Sequence, residues 1–384
     1  MSERMRIALI GPSIRFLSGI SYYTIHLANA LSERGDVQAI LFRHMLPKKF
    51  FPGWKRVGET LATTTFRPDV EVQELLDWYN PISWIRAARL MKQRDVVIFQ
   101  WWTSSVAHMY AALQLLLFRK VPMIIEYHEV VDPLEQSILP IRIYARIMGR
   151  IIRSYGSHFV VHSTADRELI QTMYHIRKDH ISIIPHGLYD QYPILETSAS
   201  RKKLGIGEET IILFFGLLRP YKGVKYLIEA FNTLPETLRS SSRLLIVGEP
   251  WEDQESLSLA ESSPSREHIT IVSRYVGDEE IPLYFSAADM LVLPYTRASQ
   301  SGVAHIGMVY GLPIIATAVG GLEEGLQSYS GAFFIPPEDT EALREQIVRC
   351  IEGKGRFLPP DNLTWSSIGK EWISVFDPLL PHQE

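Results

Sequence analysis

Short apolar runs that alternate with helix-length segments are the feature that most constrains the fold of this chain. Runs such as RIALIG, DVQAILF and PMIIEY are separated by segments such as SYYTIHLANALSERG, and the same pattern restarts with TIILFFG after the polar linker LETSASRKKLG. Strands that alternate with helices form βαβ units and a mainly parallel sheet. The sequence therefore predicts an α/β protein with two doubly wound, Rossmann-like domains that face a central cleft.

The restart of the pattern sets the predicted domain boundaries. We expect an N-terminal domain over residues 1–192, completed by the C-terminal segment 366–384, and a C-terminal domain over residues 193–365. A chain of 384 residues is long enough to bury two cores of this size. Because ligands of doubly wound sheets bind beyond the carboxyl ends of the strands, the cleft is the expected place for a site.

Cysteine content and apolar runs favour a cytoplasmic protein. The single cysteine, Cys350, excludes an intramolecular disulfide and any cysteine-based zinc cluster. The first residues, MSERMRIALIGPS, lack the apolar core of a signal peptide, and the longest near-apolar run, 106–118, is shorter than a transmembrane helix.

The charge differs between the two halves of the chain. Residues 1–190 carry 23 Lys and Arg against 17 Asp and Glu, whereas residues 191–384 carry 16 against 26. This asymmetry indicates that the first half meets an anionic partner. No zinc finger, RNP signature or continuous basic tract is present, so we expect no nucleic-acid partner, and an anionic membrane surface is the better candidate.

A small polar segment precedes a predicted helix in the second half. The strand MLVLPY is followed by RASQSG and a helix that begins near Val303. Free backbone amides in a first helical turn favour an anion, and phosphate is the natural ligand. Capping of the helix by Ser299 or Ser301 is the alternative. The predicted phosphate-binding residues are Ser301, Gly302 and Val303, and Ser299 and Gln300 are further predicted ligand-binding residues of this segment.

Two cations follow an earlier strand of the same half. The stretch FFGLLRPYKGVKYLIEAF places Gly216 at a strand end, and Arg219 and Lys222 in the loop before an amphipathic helix. An Arg that binds bidentately and a Lys that adds a point charge make a clamp for pyrophosphate. As solvated loop charges the two residues would have no function, but together with Ser301 and Gly302 the clamp is the better interpretation.

The order of these motifs resembles the retaining family-4 glycosyltransferases of the GT-B fold, over nearly the whole chain. The matching pieces are LSGISYYTIHLANAL, IIEYHE, IIPHGLYDQY, GLLRPYKGVKYLIEAF, LLIVGE, RYVGDEEIPLYFSAADMLVLPY and GLPIIATAVGGLEE. The resemblance implies transfer of a sugar from a nucleotide diphosphate sugar, with retention at the anomeric carbon and with neither a metal ion nor another cofactor. The absence of an Asp-x-Asp pair or a His-rich tract agrees with metal independence.

The chain departs from the family at one place. Many members have two Glu separated by seven residues, which hold the donor sugar and the ribose, where this chain has Ala298 and Ile306. The chain resembles a branch with an SQSGV segment at this position, in which Ser301 and the amides near Gly302 would still hold phosphate. Gln300 and Ser299 are the nearest replacements for the missing carboxylates.

Further donor-site residues are implied by the resemblance. Gly19 and Ile20 match a turn whose backbone approaches the donor phosphate, although an ordinary glycine turn is the alternative. His128, at the end of MIIEYH, matches a histidine that contacts the donor sugar, with a satisfied structural histidine as the alternative. The residues that match the nucleobase-pairing segment are Arg274, Tyr275 and Val276.

The resemblance also implies a mechanism. No carboxylate can be assigned as the nucleophile of a double displacement. The family is described by a same-face route in which the leaving phosphate assists deprotonation of the acceptor, and Arg219 and Lys222 would stabilise the diphosphate. A non-catalytic, glycosyltransferase-like subunit that binds sugar nucleotides and a GT-B sugar-nucleotide epimerase remain as alternatives.

Two segments of the first half predict peripheral attachment to the inner face of the cell membrane. LPKKFFPGWKRVG mixes cations with aromatic residues, and LPIRIYARIMGRIIRSYG, if helical, places Arg142, Arg146, Arg150 and Arg153 on one stripe opposite Ile143, Ile147, Met148 and Ile151. The alternatives are an ordinary surface helix of a soluble domain and burial of the aromatic loop residues against the sheet. We expect a glycolipid, polyprenyl-linked or polysaccharide acceptor. The predicted membrane or acceptor residues are Lys48, Lys49, Phe50, Phe51, Trp54, Lys55, Arg56, Trp101 and Trp102.

Overall fold

The chain divides into two units, each built on a parallel sheet. The computed structural model describes residues 4–16, 19–44, 64–118, 120–131, 139–353 and 355–380. One unit comprises Met1–Gly187 and Asn362–Glu384, and the other comprises Leu188–Asp361. The boundaries expected from the sequence, at 192/193 and 365/366, lie a few residues from these.

Thirteen strands form the two sheets in the described part of the chain. They are β1 (Met5–Pro12), β2 (Gly35–His44), β3 (Glu71–Asp77), β4 (Val96–Trp101), β5 (Met123–Tyr127), β6 (His158–Val161), β7 (Ile181–Ile183), β8 (Thr210–Phe215), β9 (Ser242–Val247), β10 (Ile269–Val272), β11 (Met290–Leu293), β12 (Ile314–Thr317) and β13 (Ala332–Ile335).

Helices connect most of these strands. They are α1 (Gly19–Ser32), α2 (Pro81–Met91), α3 (Ala107–Leu117), α4 (Leu139–Tyr155), α5 (Thr164–Tyr174), α6 (Thr197–Leu204), α7 (Val224–Asn232), α8 (Glu236–Ser240), α9 (Gln254–Glu261), α10 (Ile281–Ala287), α11 (Gly302–Val309), α12 (Gly320–Leu326), α13 (Thr340–Glu352) and α14 (Trp365–Phe376). Within the described residues, none of them is both long and apolar enough to cross a membrane.

Both sheets are doubly wound, which confirms the predicted fold class. The first has the strand order β3-β2-β1-β4-β5-β6-β7 and the second β10-β9-β8-β11-β12-β13. Every pair of neighbouring strands is parallel. The strand order reverses between β1 and β4 in the first sheet and between β8 and β11 in the second. Ligands of such sheets bind outside the carboxyl ends of the strands at the reversal.

The first sheet is covered by helices on both faces. Along β1, Ile7 and Leu9 belong to a core shared with α1 and α14, whereas Ala8 and Ile10 belong to a core shared with α2, α3 and α4. This alternation follows from the two-residue period of a strand. Fully buried Trp372 places α14 in the first of these cores, so the C-terminal helix packs on the N-terminal unit.

Candidate active site

The loop after β8 carries the predicted clamp and depends on two glycines. Gly216 has φ +126° and Gly223 has φ +65°, values that side-chain-bearing residues rarely adopt. A Cβ added to Gly223 would lie 1.9 Å from the carbonyl oxygen of Pro294, so only glycine lets this loop approach the end of β11. The loop therefore lies across the point where the strand order of the second sheet reverses.

Aromatic rings support both cations of this loop. The Lys222 ammonium nitrogen lies 3.6 Å from the centroid of the Tyr295 ring. The Arg219 guanidinium carbon lies 4.9 Å from the centroid of the Trp251 ring. These are cation–π distances, and they position the charges without neutralising them.

Neither cation of the clamp has a carboxylate partner among the described residues. The ion pairs of this unit involve other cations, such as Lys225 with Glu255 and Arg274 with Glu280, and none includes Arg219 or Lys222. The Nε atom of Arg219 is buried and has no hydrogen-bond partner in the described structure. Two cations without a carboxylate partner in the described structure can compensate the charge of an anion beside this strand reversal, and the predicted pyrophosphate clamp stays a prediction.

The polar segment after β11 caps α11, which the sequence allows as the alternative to phosphate binding. Ser301 is the N-cap residue, and its Oγ atom accepts a hydrogen bond from the backbone N–H of Ala304 at 3.4 Å. The hydroxyl groups of Tyr295 and Ser301 lie 3.4 Å apart. Tyr295 therefore joins Lys222 to the start of α11, and the clamp and the helix terminus form one group.

The remaining residues of this segment lie beside that group. Val303 is close to the strand end, because a Cβ added to Gly216 would lie 3.6 Å from its Cγ2 atom. A Cβ added to Gly302 would lie 3.4 Å from the Tyr189 ring. These contacts place the first turn of α11 at the carboxyl end of β8.

Ala298 and Ile306 occupy the two positions of the missing Glu pair and carry no carboxylate of their own. Ile306 is buried, and the carbonyl oxygen of Ala298 accepts from the N–H of Gly321 in α12 at 3.2 Å. Gln300 Nε2 is 3.5 Å from the carbonyl oxygen of Gly321, and Ser299 is half-buried. The roles of Gln300 and Ser299 in place of the two carboxylates, and the SQSGV branch itself, stay predictions.

The segment predicted to pair with a nucleobase follows β10. The Arg274 guanidinium forms a bidentate ion pair with Glu280, at 2.7 and 2.5 Å. This pair holds the pKa of the Glu280 carboxyl below its ordinary value, although partial burial opposes the shift. The Arg274 backbone N–H donates to the carbonyl oxygen of Val272, and the Arg274 guanidinium also donates to the carbonyl oxygen of Tyr275. The predicted pairing of Arg274, Tyr275 and buried Val276 with a base stays a prediction.

A polar cavity of about 370 Å³ is lined in part by the clamp loop. Arg219 lines it and Lys222 does not. Two of its lining residues, Glu252 and Glu338, have positive φ values of 63° and 62°. The other lining residues are Pro220, Tyr221, Lys225, Tyr226, Thr296 and Arg297. The cavity therefore has acidic and basic walls and differs from the clamp in charge.

In the N-terminal unit, His128 follows β5 and is almost fully buried. It is 8% exposed, and its ring packs edge-on against Tyr23 of α1, with the centroids 4.7 Å apart. The imidazoles of His162 and His186 lie beside it, with centroids 4.9 and 5.7 Å from that of His128. His128 thus belongs to a group of three histidines at the carboxyl edge of the sheet.

A buried carboxylate lies beneath this histidine group. Glu126 is 0% exposed, and its Oε2 atom accepts from Gln100 Nε2 at 3.0 Å. Burial raises the pKa of Glu126, but charge on His128 and His162 outweighs that effect, so the pKa lies below its ordinary value. Thr24 Oγ1 lies 2.6 Å from Gln100 Oε1 and links the group to α1.

Gly19 begins α1, and Ile20 follows it. A Cβ added to Gly19 would meet no atom within 4 Å, and its φ is outside the positive range. The described structure therefore contains no packing reason for glycine at this position. The predicted approach of a phosphate to Gly19 and Ile20 stays a prediction.

The predicted membrane residues have different outcomes. Trp101 is a core residue, 3% exposed and packed against Tyr110 and Tyr127, so the expectation that it contacts a membrane or acceptor is wrong. Trp102 is half-buried at the edge of that core. The other seven predicted residues, Lys48, Lys49, Phe50, Phe51, Trp54, Lys55 and Arg56, lie outside the described residues.

The predicted amphipathic helix is present as α4, with a different exposed face. Ala145, Gly149 and Ile152 form its buried face, whereas Ile143 and Ile147 are 49% and 51% exposed. The predicted separation of arginines from isoleucines is wrong, because Arg146 and Arg150 are exposed on the same side as these isoleucines. Arg153 instead stacks on the Tyr174 ring at 3.6 Å.

Sequence reasoning missed several residues of both groups. Tyr295 and Trp251, which support the clamp, follow strands of the second sheet closely. Glu126, His162 and His186 occupy strand ends of the first sheet. Their common signal is a polar or aromatic residue at the carboxyl end of a predicted strand, where doubly wound sheets form their sites.

Comparison with known proteins agrees with this architecture. The family model described as Glycosyltransferase Family 4 matches residues 17–191. The family model described as Glycosyl transferases group 1 matches residues 196–371.

Individual proteins show more distant similarity. The chain is 25% identical over 341 residues to mannosylfructose-phosphate synthase of Agrobacterium fabrum, covering 79% of this chain and 73% of that protein. It is 26% identical over 214 residues to lipopolysaccharide glucosyltransferase WaaG of Escherichia coli, covering 54% and 55%. The crystal structure of Anabaena HepE in complex with UDP and glucose has a TM-score of 0.66 and 17% identity, with 97% of this chain and 98% of that chain covered.

Two family models thus match successive parts of the chain, and the likeness to solved structures extends over nearly all of it. The chain therefore belongs to the family 4 glycosyltransferases and has the GT-B fold.

Proposed function

We propose that this chain is a retaining hexosyltransferase that uses a nucleotide diphosphate sugar and needs no metal ion for transfer. The observation that carries the proposal is the group formed by Arg219, Lys222, Tyr295 and the first turn of α11. It offers two unneutralised cations and the amides of a helix start at the strand reversal of one sheet. A diphosphate needs this combination of charge and hydrogen-bond donors.

The mechanism requires the clamp to act mainly on the leaving group. As the glycosidic bond breaks, negative charge grows on the diphosphate, and Arg219 and Lys222 stabilise it. The departing phosphate assists removal of the acceptor proton on the same face of the sugar. His128 contacts the donor sugar near the reaction centre, and the backbone of Arg274, Tyr275 and Val276 pairs with the base.

The proposed acceptor is a lipid-linked saccharide or glycolipid at the inner face of the cell membrane. The helices α2, α3 and α4 cover one face of the first sheet, and together they contain six arginines and no Asp or Glu. On α4, Ile143 and Ile147 project into solvent between arginines. Exposed isoleucines among cations are typical of a helix that lies in the interface of an anionic bilayer.

The relatives include enzymes with both kinds of acceptor. The name of WaaG refers to lipopolysaccharide, whereas that of mannosylfructose-phosphate synthase refers to a sugar phosphate. The exposed face of α4 favours the lipid-linked class, because a soluble acceptor gives no physical reason for exposed isoleucines on this helix. A lipid acceptor therefore predicts that vesicles carrying it are used in preference to free sugar phosphates.

A second candidate function follows from Ala298 and Ile306. A chain that lacks both carboxylates at these positions could bind sugar nucleotides without turning them over. Incubation of the purified protein with a panel of sugar nucleotides separates the two functions. Release of nucleoside diphosphate supports transfer, binding without release supports the non-catalytic subunit, and an altered sugar on an intact nucleotide indicates an epimerase.

A further inference from the structure

Three imidazoles converge at the carboxyl edge of the first sheet. His128 comes one residue after β5, His162 one residue after β6, and His186 three residues after β7. These strands are neighbours in a parallel sheet, so the residues that follow them meet at one edge. One ring nitrogen from each histidine lies within 4.8 Å of those of the other two.

The tautomer of His162 suits a ligand role. Its Nδ1 atom lies 2.9 Å from the carbonyl oxygen of Ile184. A carbonyl oxygen only accepts, so Nδ1 carries a hydrogen, and in the neutral ring Nε2 is the atom whose lone pair can bind a metal ion. The Nε2 atom in turn lies 3.8 Å from Glu126 Oε1. Metal-binding histidines commonly donate their other N–H to a carbonyl or a carboxylate in this way.

His128 and Glu126 present buried polar atoms to the same point. Neither ring nitrogen of His128 has a hydrogen-bond partner among the described residues, and Glu126 Oε1 has none either. The nearest approach between them, from His128 Nε2 to Glu126 Oε2, is 3.6 Å, which exceeds a hydrogen bond. Buried polar atoms without partners are costly, so their convergence indicates a missing partner.

Glu126 has no permanently charged partner in the described structure, because its imidazole partners are cations only when protonated. Among the described residues, no Lys or Arg forms an ion pair with this fully buried carboxylate, whose ion-pair partners are His128 and His162. Gln100 donates one hydrogen bond to it but carries no charge. A buried carboxylate is stable only when a positive charge compensates it. A divalent cation at the meeting point of the rings would supply that charge.

We propose that His128, His162 and His186, together with Glu126, bind one divalent transition-metal ion of the zinc class. Three imidazole nitrogens and one carboxylate oxygen match the preference and the four-coordinate geometry of zinc, whereas Mg²⁺ and Ca²⁺ prefer oxygen ligands only. Tetrahedral metal–nitrogen bonds of about 2.0 Å place the nitrogens about 3.3 Å apart, so ring nitrogens that now lie within 4.8 Å of one another must approach by up to about 1.5 Å.

The metal is not a participant in sugar transfer. It would instead bind His128, the proposed sugar contact, so the metal ion and the donor sugar would compete for this side chain. This competition rests on the proposed function, whereas the metal site itself does not. Metal binding is therefore tested without any assay of transfer.

The test uses the full chain without an affinity tag, stripped with a chelator and titrated with Co²⁺. We expect one Co²⁺ per chain, the visible absorption bands of tetrahedral cobalt, and loss of those bands when Zn²⁺ is added. Zn²⁺ should also raise the melting temperature of the wild-type protein, and Mg²⁺ should not. Absence of the bands at one equivalent, or no response of the melting temperature to Zn²⁺, would overturn the proposal.

Variants identify the ligands. His162→Gln and His186→Gln should each weaken Co²⁺ binding by at least about 10-fold. His180→Gln is the matched control, because His180 is exposed and lies outside the group. Binding that is equally strong in both ligand variants, or equally weakened in the control, contradicts the assignment. The wild-type melting shift keeps the test valid if a variant fails to fold.

Discussion

The ammonium group of Lys222 lies 3.6 Å from the centroid of the Tyr295 ring. The two residues come from different loops, one after β8 and one after β11, where the strand order of the second sheet reverses. The ring holds the Lys222 charge in place without cancelling it. Lys222 is therefore a preorganised cation, and the first prediction concerns the loss of its charge and of the charge of Arg219.

Replacement of Arg219 or Lys222 by Ala should lower turnover by about 100-fold or more, the size of effect that loss of one preorganised donor produces. Because both side chains are only partly buried and form no ion pair among the described residues, thermal stability should change little. Steady-state kinetics and thermal melts measure the two effects. Lys203→Ala, on α6 of the same unit, is the control. Near wild-type turnover in either clamp variant would show that the replaced residue is a solvated loop charge with no role in transfer.

A change of charge at Val303 separates phosphate binding from simple helix capping. Val303→Asp places a carboxylate in the first turn of α11, where it complements the helix dipole, so stability should be kept. The same charge should weaken donor binding by about 10-fold or more, because it opposes the diphosphate.

Val303→Lys is the matched opposite. It should lower the melting temperature while leaving donor binding equal or stronger. Calorimetric titration with nucleotide measures both affinities. Donor binding that is the same in both variants would mean that the segment only caps α11.

His128→Ala should reduce turnover much more than nucleotide affinity. The side chain is proposed to contact the sugar in the transition state, whereas nucleotide binding is assigned to the other unit. Kinetics, nucleotide titration and thermal melts on one preparation distinguish the outcomes. Loss of activity in proportion to loss of folded protein would show that His128 is structural, and His180→Ala reports the effect of an exposed histidine.

The exposed face of α4 should bind anionic vesicles. Ile143→Ser with Ile147→Ser should lower the partition onto anionic liposomes by about 10-fold, because apolar insertion is lost. Since both side chains are about half exposed, folding should be unaffected. Sedimentation at low and high salt measures the partition, and high salt should weaken it through the arginines.

Leu358→Ser is the control for this helix, because Leu358 is 86% exposed in the other unit. No sedimentation of the wild-type protein with anionic vesicles at low salt would contradict membrane attachment. Binding that is unchanged by both α4 substitutions would show that another segment attaches the protein to the membrane. The next residues to test would then be Phe50, Phe51 and Trp54.

Local pattern was sufficient to predict the two sheets, because each central strand is a continuous buried run. Three of the four edge strands, β3, β7 and β13, have no such run and are not indicated by the pattern. The first three residues of β3 are exposed, β7 has only three residues, and β13 is only partly buried. Edge strands lack the apolar continuity on which such prediction depends.

Arg219 and Lys222 could be grouped from the sequence because they are close in it. The aromatic rings that contact them could not. Tyr295 is distant in sequence from Lys222 and reaches it only through the order of β8 and β11. The histidine group escaped prediction for the same reason, since its members follow three different strands. On α4 the sequence predicts the helix, but the buried face depends on contacts with α3, such as that of Gln114 Nε2 with the carbonyl oxygen of Ile152.

The central claim is retaining transfer of a sugar from a nucleotide diphosphate sugar. Its most direct test is to supply the active donor and a lipid-linked acceptor in chelator-containing buffer, measure nucleoside diphosphate release, and determine the anomeric configuration of the product by NMR. The account predicts release that depends on the acceptor, persists with the chelator, falls about 100-fold in Arg219→Ala, and gives a product with the donor's configuration. No acceptor-dependent release with any sugar nucleotide, or a product of inverted configuration, would contradict it.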